Sequence, residues 1–212
     1  MNIVGILLAA GRGTRFSPNA DQCKLLAPVI GADGSRAPLA QHAARSMRAA
    51  LGSVITVVGP DPGAPWGLLR ELLRAQGCTV LACVPDGAGG AAPAGMGASI
   101  ATAVRASAQA DGWIIALADM PWVEPATIAA LRRALQEGAP SAAPYFRGRR
   151  GHPVGFAAAC GSELAVLRGD TGARALLERH PPVRIDVDDE GIVLDVDVPA
   201  DLAQLPRPRG AP

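Results

Sequence analysis

Apolar residues fall in short unbroken runs along the first half of the chain, each followed by a longer stretch with helical spacing. The runs Ile3–Leu8, Val54–Val58, Thr79–Val84 and Trp113–Leu117 are rich in β-branched and aliphatic residues and read as strands. Pro38–Ala50, Trp66–Gln76, Gly97–Ala108 and Pro125–Glu137 read as helices. This alternation predicts a parallel, doubly wound α/β sheet. The strands lack polar alternation, as expected when helices cover both faces. After Ala139 the elements shorten. Strands at Ala142–Pro144 and His152–Phe156 flank the basic turn Arg147-Gly148-Arg149-Arg150. Helices near Gly161–Leu167 and Gly172–Glu178 follow, then strands at Val183–Val187 and Ile192–Val196. A last helix starts at Pro199, where proline suits a first turn. Gly31–Ala37 reads as a turn, with Ala32-Asp33-Gly34-Ser35 as its bend. The Gly-, Ala- and Pro-rich stretch Pro85–Gly97 reads as a loop over a ligand cleft. Residues 1–205 read as a single domain and 206–212 as a disordered tail.

Composition narrows the picture. Of 212 residues, 49% are hydrophobic and only 3% aromatic, so the core is built from Ala, Val, Leu and Ile. A net charge of +1 argues against nucleic acid or an anionic membrane as a bulk partner. No apolar run approaches the roughly 18 residues of a membrane span. The N-terminal apolar run lacks a preceding basic region and leads into a glycine loop, so it reads as a core strand and not a signal peptide. Cys23, Cys78, Cys83 and Cys160 show no CxxC spacing, and His42, His152 and His180 do not cluster with them, so neither a zinc site nor a disulfide framework is expected. The expected compartment is the reducing cytoplasm.

Three segments carry candidate chemistry. The first strand ends in Ala9-Ala10-Gly11, followed by Arg12, Gly13, Arg15 and Lys24. A glycine turn presents backbone N–H groups to an anion and lets a ligand approach closely. Phe16 stands where the dinucleotide fingerprint GxGxxG needs its third glycine, and no GK[ST] P-loop occurs. Two cations, Arg15 and Lys24, suit a triphosphate whose leaving pyrophosphate must be neutralised. Lys24 is the only lysine among 20 Lys and Arg, a compact ammonium where the chain otherwise uses guanidinium.

The second segment is Ala118-Asp119-Met120-Pro121, at the carboxyl end of the Trp113–Leu117 strand. Ligands bind at that edge of open α/β sheets, and a carboxylate there can hold Mg²⁺ against phosphate oxygens. The same residues also fit an ordinary strand-to-helix turn, in which Asp119 or Glu124 helps a helix N-terminus. The third is Leu194-Asp195-Val196-Asp197-Val198-Pro199-Ala200-Asp201. On a strand Asp195 and Asp197 share a face and repel unless a cation joins them; the alternative is a solvated strand end. Gly95-Met96-Gly97-Ala98-Ser99, Gly169-Asp170-Thr171-Gly172-Ala173-Arg174 and His152-Pro153 are weaker features, each also readable as a turn, a helix cap or a structural histidine.

These segments together resemble the MobA/MocA-like nucleotidyltransferases, especially the molybdenum cofactor cytidylyltransferase branch. The matching pieces are Leu8-Ala9-Ala10-Gly11 with Arg15 and Lys24, Gly95-Met96-Gly97-x-Ser99, Asp119-Met120-Pro121, Gly151-His152-Pro153-Val154, Gly169-Asp170-x-Gly172-Ala173-Arg174 and Asp195-x-Asp197-x-Pro199-x-Asp201, in the family's order. The resemblance implies a Rossmann-like α/β nucleotidyltransferase fold, with a mostly parallel central sheet and helices on both faces. It implies Mg²⁺-dependent transfer of a nucleoside monophosphate from an NTP, CTP before the others, to a phosphorylated acceptor such as molybdopterin, with a molybdoenzyme as a possible recipient of the product. Nucleotide contacts would come from Leu8, Ala9, Ala10, Gly11, Gly13, Arg15, Lys24, Asp86, Gly97 and Ser99. Arg15, Lys24 and Asp119 would carry catalysis and Asp119 with Asp197 the metal. His152, Asp170 and Arg174 would meet the acceptor. The chain departs from the family at Phe16-Ser17 after Arg15 and at Val198, where the family has threonine. Competing readings are a guanylyl- or uridylyltransferase for another phosphorylated molecule, a non-catalytic cofactor-delivery protein, and a nicotinamide oxidoreductase, which the missing third glycine disfavours.

Overall fold

The computed structural model describes residues 1–11, 13–17, 22–59, 63, 65–83, 95–170 and 172–203. The hydrophobic run at the N-terminus forms β1 (Ile3–Ala9), an interior strand of the main sheet. β1 pairs in parallel with β4 (Val54–Val58) on one side and β6 (Gly112–Leu117) on the other. Beyond β4 lies β5 (Thr79–Ala82); beyond β6 lie β9 (Val154–Ala157), β7 (Ser141–Phe146) and β10 (Val183–Asp186). β9 runs antiparallel to both of its neighbours, and the two-residue β8 (Arg149–Arg150) pairs antiparallel with the end of β7. The sheet is therefore mostly parallel, and strand order reverses at β1.

Alternation along β1 decides the two cores. Ile3, Leu7 and Ala9 pack with α1 (Leu39–Leu51), α2 (Trp66–Ala75) and α4 (Pro125–Gln136). Val4 and Ile6 face the opposite layer of α3 (Met96–Ala106), α5 (Gly161–Leu164) and α6 (Arg174–Arg179). No helix of the described residues is long and apolar enough to cross a membrane.

The first-half strands and helices match expectation to within a residue or two. The structure adds a hairpin, β2 (Pro28–Ile30) with β3 (Arg36–Pro38), around the expected Gly31–Ala37 turn. Its three-residue strands are too short and proline-bounded for a strand signature. The expected strand Ile192–Val196 is absent. Residues Glu190–Val193 wind into a 3₁₀ turn because Asp189 accepts from Gly191 N–H at 3.0 Å and Gly191 lies against the Trp122 backbone, where a Cβ would come within 2.3 Å. The expected helix Gly161–Leu167 is one turn of α-helix preceded by a 3₁₀ turn at Ala158–Cys160. Most of Pro85–Gly97, including Asp86, lies outside the described residues, as do Arg12, Val84 and the 206–212 tail.

Candidate active site

A cleft of about 520 Å³ opens at the carboxyl edge of β1 and β6, where strand order reverses. That volume suits a small-molecule ligand, and the position is where open α/β sheets bind one. The end of β1 brings Leu8 and Ala9 to its wall, and Ala10 and Gly11 follow. A Cβ built on Gly11 would meet nothing within 4 Å among the described residues beyond its chain neighbours, which leaves space there for a ligand. Gly13 has a different reason to be glycine: its φ is +62°, a left-handed conformation that bends the loop so that Phe16 and Ser17 N–H groups both reach its carbonyl. The same bend lays Gly13 against the Lys24 side chain, whose Cγ would be 3.4 Å from an added Cβ.

Lys24 begins a short 3₁₀ turn at Lys24–Leu26 and is buried. Its ammonium donates to Asp119 Oδ2 at 2.7 Å, to the Val196 carbonyl at 2.9 Å and to Asp197 Oδ1 at 3.2 Å. The exposed Arg15 reaches the other Asp197 oxygen at 2.8 Å. Asp119 stands just past β6. Asp197 arrives from the far end of the chain, held by backbone bonds: Val196 N–H donates to the Asp119 carbonyl at 3.1 Å, and Asp201 Oδ2 accepts from the N–H groups of Asp197 and Val198 at 2.8 and 2.9 Å. Those two bonds hold the Asp201 carboxyl below its ordinary pKa. The segment carrying Asp195 and Asp197 is not a strand; buried Val196 stands between the two carboxylates. The outer side of Asp195 is exposed, yet packing beneath it and the charges of Asp197 and Asp119 raise its pKa.

On the other wall, Ser99 is buried in the first turn of α3 and bonds the Gly95 carbonyl at 3.1 Å. Asp170 lines the cleft from the turn before α6. Gly97 does not line it; its N–H donates to the Gly169 carbonyl at 2.8 Å, tying that turn to α3. His152 is also outside the cleft. With Pro153 it borders a separate cavity of about 10 Å³ against Ala116 and Met120; its Nδ1 is buried without a hydrogen-bond partner among the described residues, and burial lowers its pKa. Arg174 is not brought to the cleft: it is exposed on α6 and faces Glu178 one turn on, at 3.6 Å. Thr14, Leu25 and Leu117 line the cleft without having been expected as site residues and follow from their chain neighbours; Gly95 and Met96, quoted above within a motif but given no role, line it as well. The Val196 carbonyl has no sequence signal at all.

Among the described residues, no group of three or more His, Cys, Asp or Glu converges as a ligand set. Two carboxylates do converge, and a cation already sits between them: the Lys24 ammonium marks a point within reach of both. A hard divalent ion that takes one or two protein carboxylates and completes its shell with phosphate oxygens and water fits that donor set.

Residues 5–184 match the MobA-like NTP transferase domain. The chain belongs to this family. It is thereby placed among the nucleotidyltransferases, with the Rossmann-like fold described above. Rv0371c from Mycobacterium tuberculosis H37Rv is 26% identical, with 96% of each chain covered and a TM-score of 0.72. A structure of Rv0371c complexed with manganese is 25% identical over 96% of this chain and 97% of that one, at a TM-score of 0.71. The molybdopterin-guanine dinucleotide biosynthesis protein A from Archaeoglobus fulgidus shares the fold at 20% identity, 95% coverage of each chain and a TM-score of 0.63. No curated protein matches the sequence. The match to the MobA-like family ends before Asp197, so the part played by that residue rests on the geometry of this chain.

Proposed function

We propose that this MobA-like chain transfers a nucleoside monophosphate, CMP from CTP before the others, onto a phosphate oxygen of an acceptor such as molybdenum cofactor, releasing pyrophosphate. Residues 1–205 act as one domain in the cytoplasm, and a molybdoenzyme receives the product. The observation that carries the reading is the meeting of Asp119 and Asp197 on one cationic point beside the open Ala10-Gly11 turn.

Asp119 and Asp197 would hold Mg²⁺, which when bound draws charge from the α-phosphate and the departing pyrophosphate. The chain's own residues do the positioning. Leu8, Ala10 and Ser99 wall the base and sugar subsite, and the preference for CTP rests on Ala10. The open face of Gly11 admits the phosphates to the backbone. Arg15 and Lys24 supply positive charge where the pyrophosphate leaves. Asp170 stands at the acceptor side of the cleft. An acceptor phosphate oxygen attacks the α-phosphorus in line, so no protein nucleophile is needed, and the rate comes from alignment and fixed charge.

The test is pyrophosphate release with CTP, GTP, UTP and ATP, with Mg²⁺ and a molybdopterin acceptor. CTP is expected to give the fastest release. A faster rate with GTP or UTP moves the assignment to that nucleotide, and acceptor binding without release from any NTP marks a delivery protein instead. Lys24→Ala should lower turnover by about 100-fold or more, the size of losing one preorganised charge contact. Asp119→Ala should reduce it to background; near-wild-type release by either variant sinks the assignment.

A further inference from the structure

We infer that Lys24 is an internal counter-ion that closes the metal site of the nucleotide-free protein, and that the phosphates of the nucleotide draw it away, so that metal and NTP load together. The inference rests on reading Asp119 and Asp197 as metal ligands.

An ammonium has three N–H donors, and Lys24 spends all three on Asp119, Val196 and Asp197. Asp197 has no idle oxygen either, because Arg15 takes Oδ2 while Lys24 takes Oδ1. Two cations and two carboxylates thus pair off in the cleft, with Asp195 and Asp201 close enough to feel the same charges. A divalent ion arriving alone meets carboxylates that already have cationic partners. An ion held by Asp119 and Asp197 would have to displace a buried ammonium from those two carboxylates. A triphosphate reverses this balance. It brings acceptor oxygens into the same cleft, so the ammonium exchanges carboxylate partners for phosphate partners without becoming unpaired.

The residue type fits this exchange. Lysine carries a point charge on a flexible four-carbon stem, whereas guanidinium is a rigid fork suited to one planar partner. This chain uses arginine at every other position of that charge and keeps lysine here. The stem lies along Gly13, whose Cβ position would be in ordinary contact distance, 3.4 to 3.8 Å, of the Lys24 Cγ, Cδ and Cβ.

Mn²⁺ titration followed by electron paramagnetic resonance tests the inference without turnover. Wild-type protein should bind Mn²⁺ alone weakly. Lys24→Met, which keeps the stem and removes the charge, should bind it at least 10-fold more tightly, and Lys24→Met/Asp119→Asn should lose that gain. Equal or weaker binding by Lys24→Met overturns the inference. A second measurement needs no variant, because Lys24 is the only side-chain amine. Protein labelled with ¹⁵N-lysine has a single lysine ammonium signal, which Mg²⁺ with CTP should shift; a signal unmoved by Mg²⁺ with CTP also overturns it. The metal-ligand reading is checked apart from both. CTP affinity should rise with Mn²⁺ in the wild type and not in Asp119→Asn. If that fails, the ligand assignment falls and the inference with it. If it holds while Lys24→Met shows no gain, only the counter-ion role falls.

Discussion

Single side chains in this protein are held by partners far away in sequence. Asp189 is the clearest case away from the cleft. Buried at 2% exposure, it accepts from Glu124 N–H at 2.9 Å, Thr127 hydroxyl at 2.7 Å and Gly191 N–H at 3.0 Å. It therefore caps α4 from outside the helix, a job the sequence suggests for Glu124 or Asp119. Asp189→Ala removes the acceptor these three donors share and should cost about 2–4 kcal/mol in chemical denaturation, with Asp189→Asn costing less. His152 makes a separate prediction at this scale. Burial lowers its pKa, and the nearby Arg150 lowers it further while Asp119 opposes both. A proton taken up by the unfolded chain is then refused by the native one. The stability this group contributes is present above its unfolded pKa of about 6.5 and is lost as pH falls through the lower native value. Melting temperature should fall as pH is lowered from 6.5 toward 5, above the range in which most carboxyls titrate. His152→Gln should flatten that fall; an unchanged slope would place the titrating group elsewhere.

Elements reach the cleft through close backbone contact. The start of α3 and the turn before α6 touch at Gly95, where an added Cβ would lie 2.2 Å from the Gly169 carbonyl and 2.5 Å from Asp170 N. Backbone atoms cannot swing aside as a flexible side chain would. Gly95→Ala should push the Asp170 turn from its place on the cleft wall. We expect a loss of about 1–3 kcal/mol, typical of overpacking, and a rise in KM for the nucleotide or its acceptor larger than the change in kcat. An unchanged KM would show that the turn is not part of the binding wall. Both glycines are visible in the sequence as turn formers, but their contact is not, because nothing local says that these two turns meet.

At the scale of the whole molecule, the cleft joins the first 24 residues, the end of the central β6 and a segment that follows the last strand. The Lys24 bonds span 95 residues to Asp119 and 173 to Asp197. A ligand bridging these parts stabilises the native state by mass action, about 2.7 kcal/mol at 100 times its Kd. For a chain of this size each kcal/mol raises the melting temperature by about 2–4 °C. CTP with Mg²⁺ should therefore raise it by several degrees, and Asp197→Ala should remove most of that rise; a full rise in the variant would release Asp197 from the metal. Sequence by itself determined the parallel α/β framework, the glycine turn after β1 and the identity of Lys24 and Asp119 as candidates. Those features are local: an unbroken apolar run reports burial on both faces, and small residues report a turn. Tertiary structure alone decided that Lys24 lies between Asp119 and Asp197, that the Asp195–Asp197 segment is not a strand, and that Arg174 and His152 stay out of the cleft. Strand order and bonds through backbone groups such as the Val196 carbonyl set these outcomes, and neither leaves a periodic trace in the order of residues.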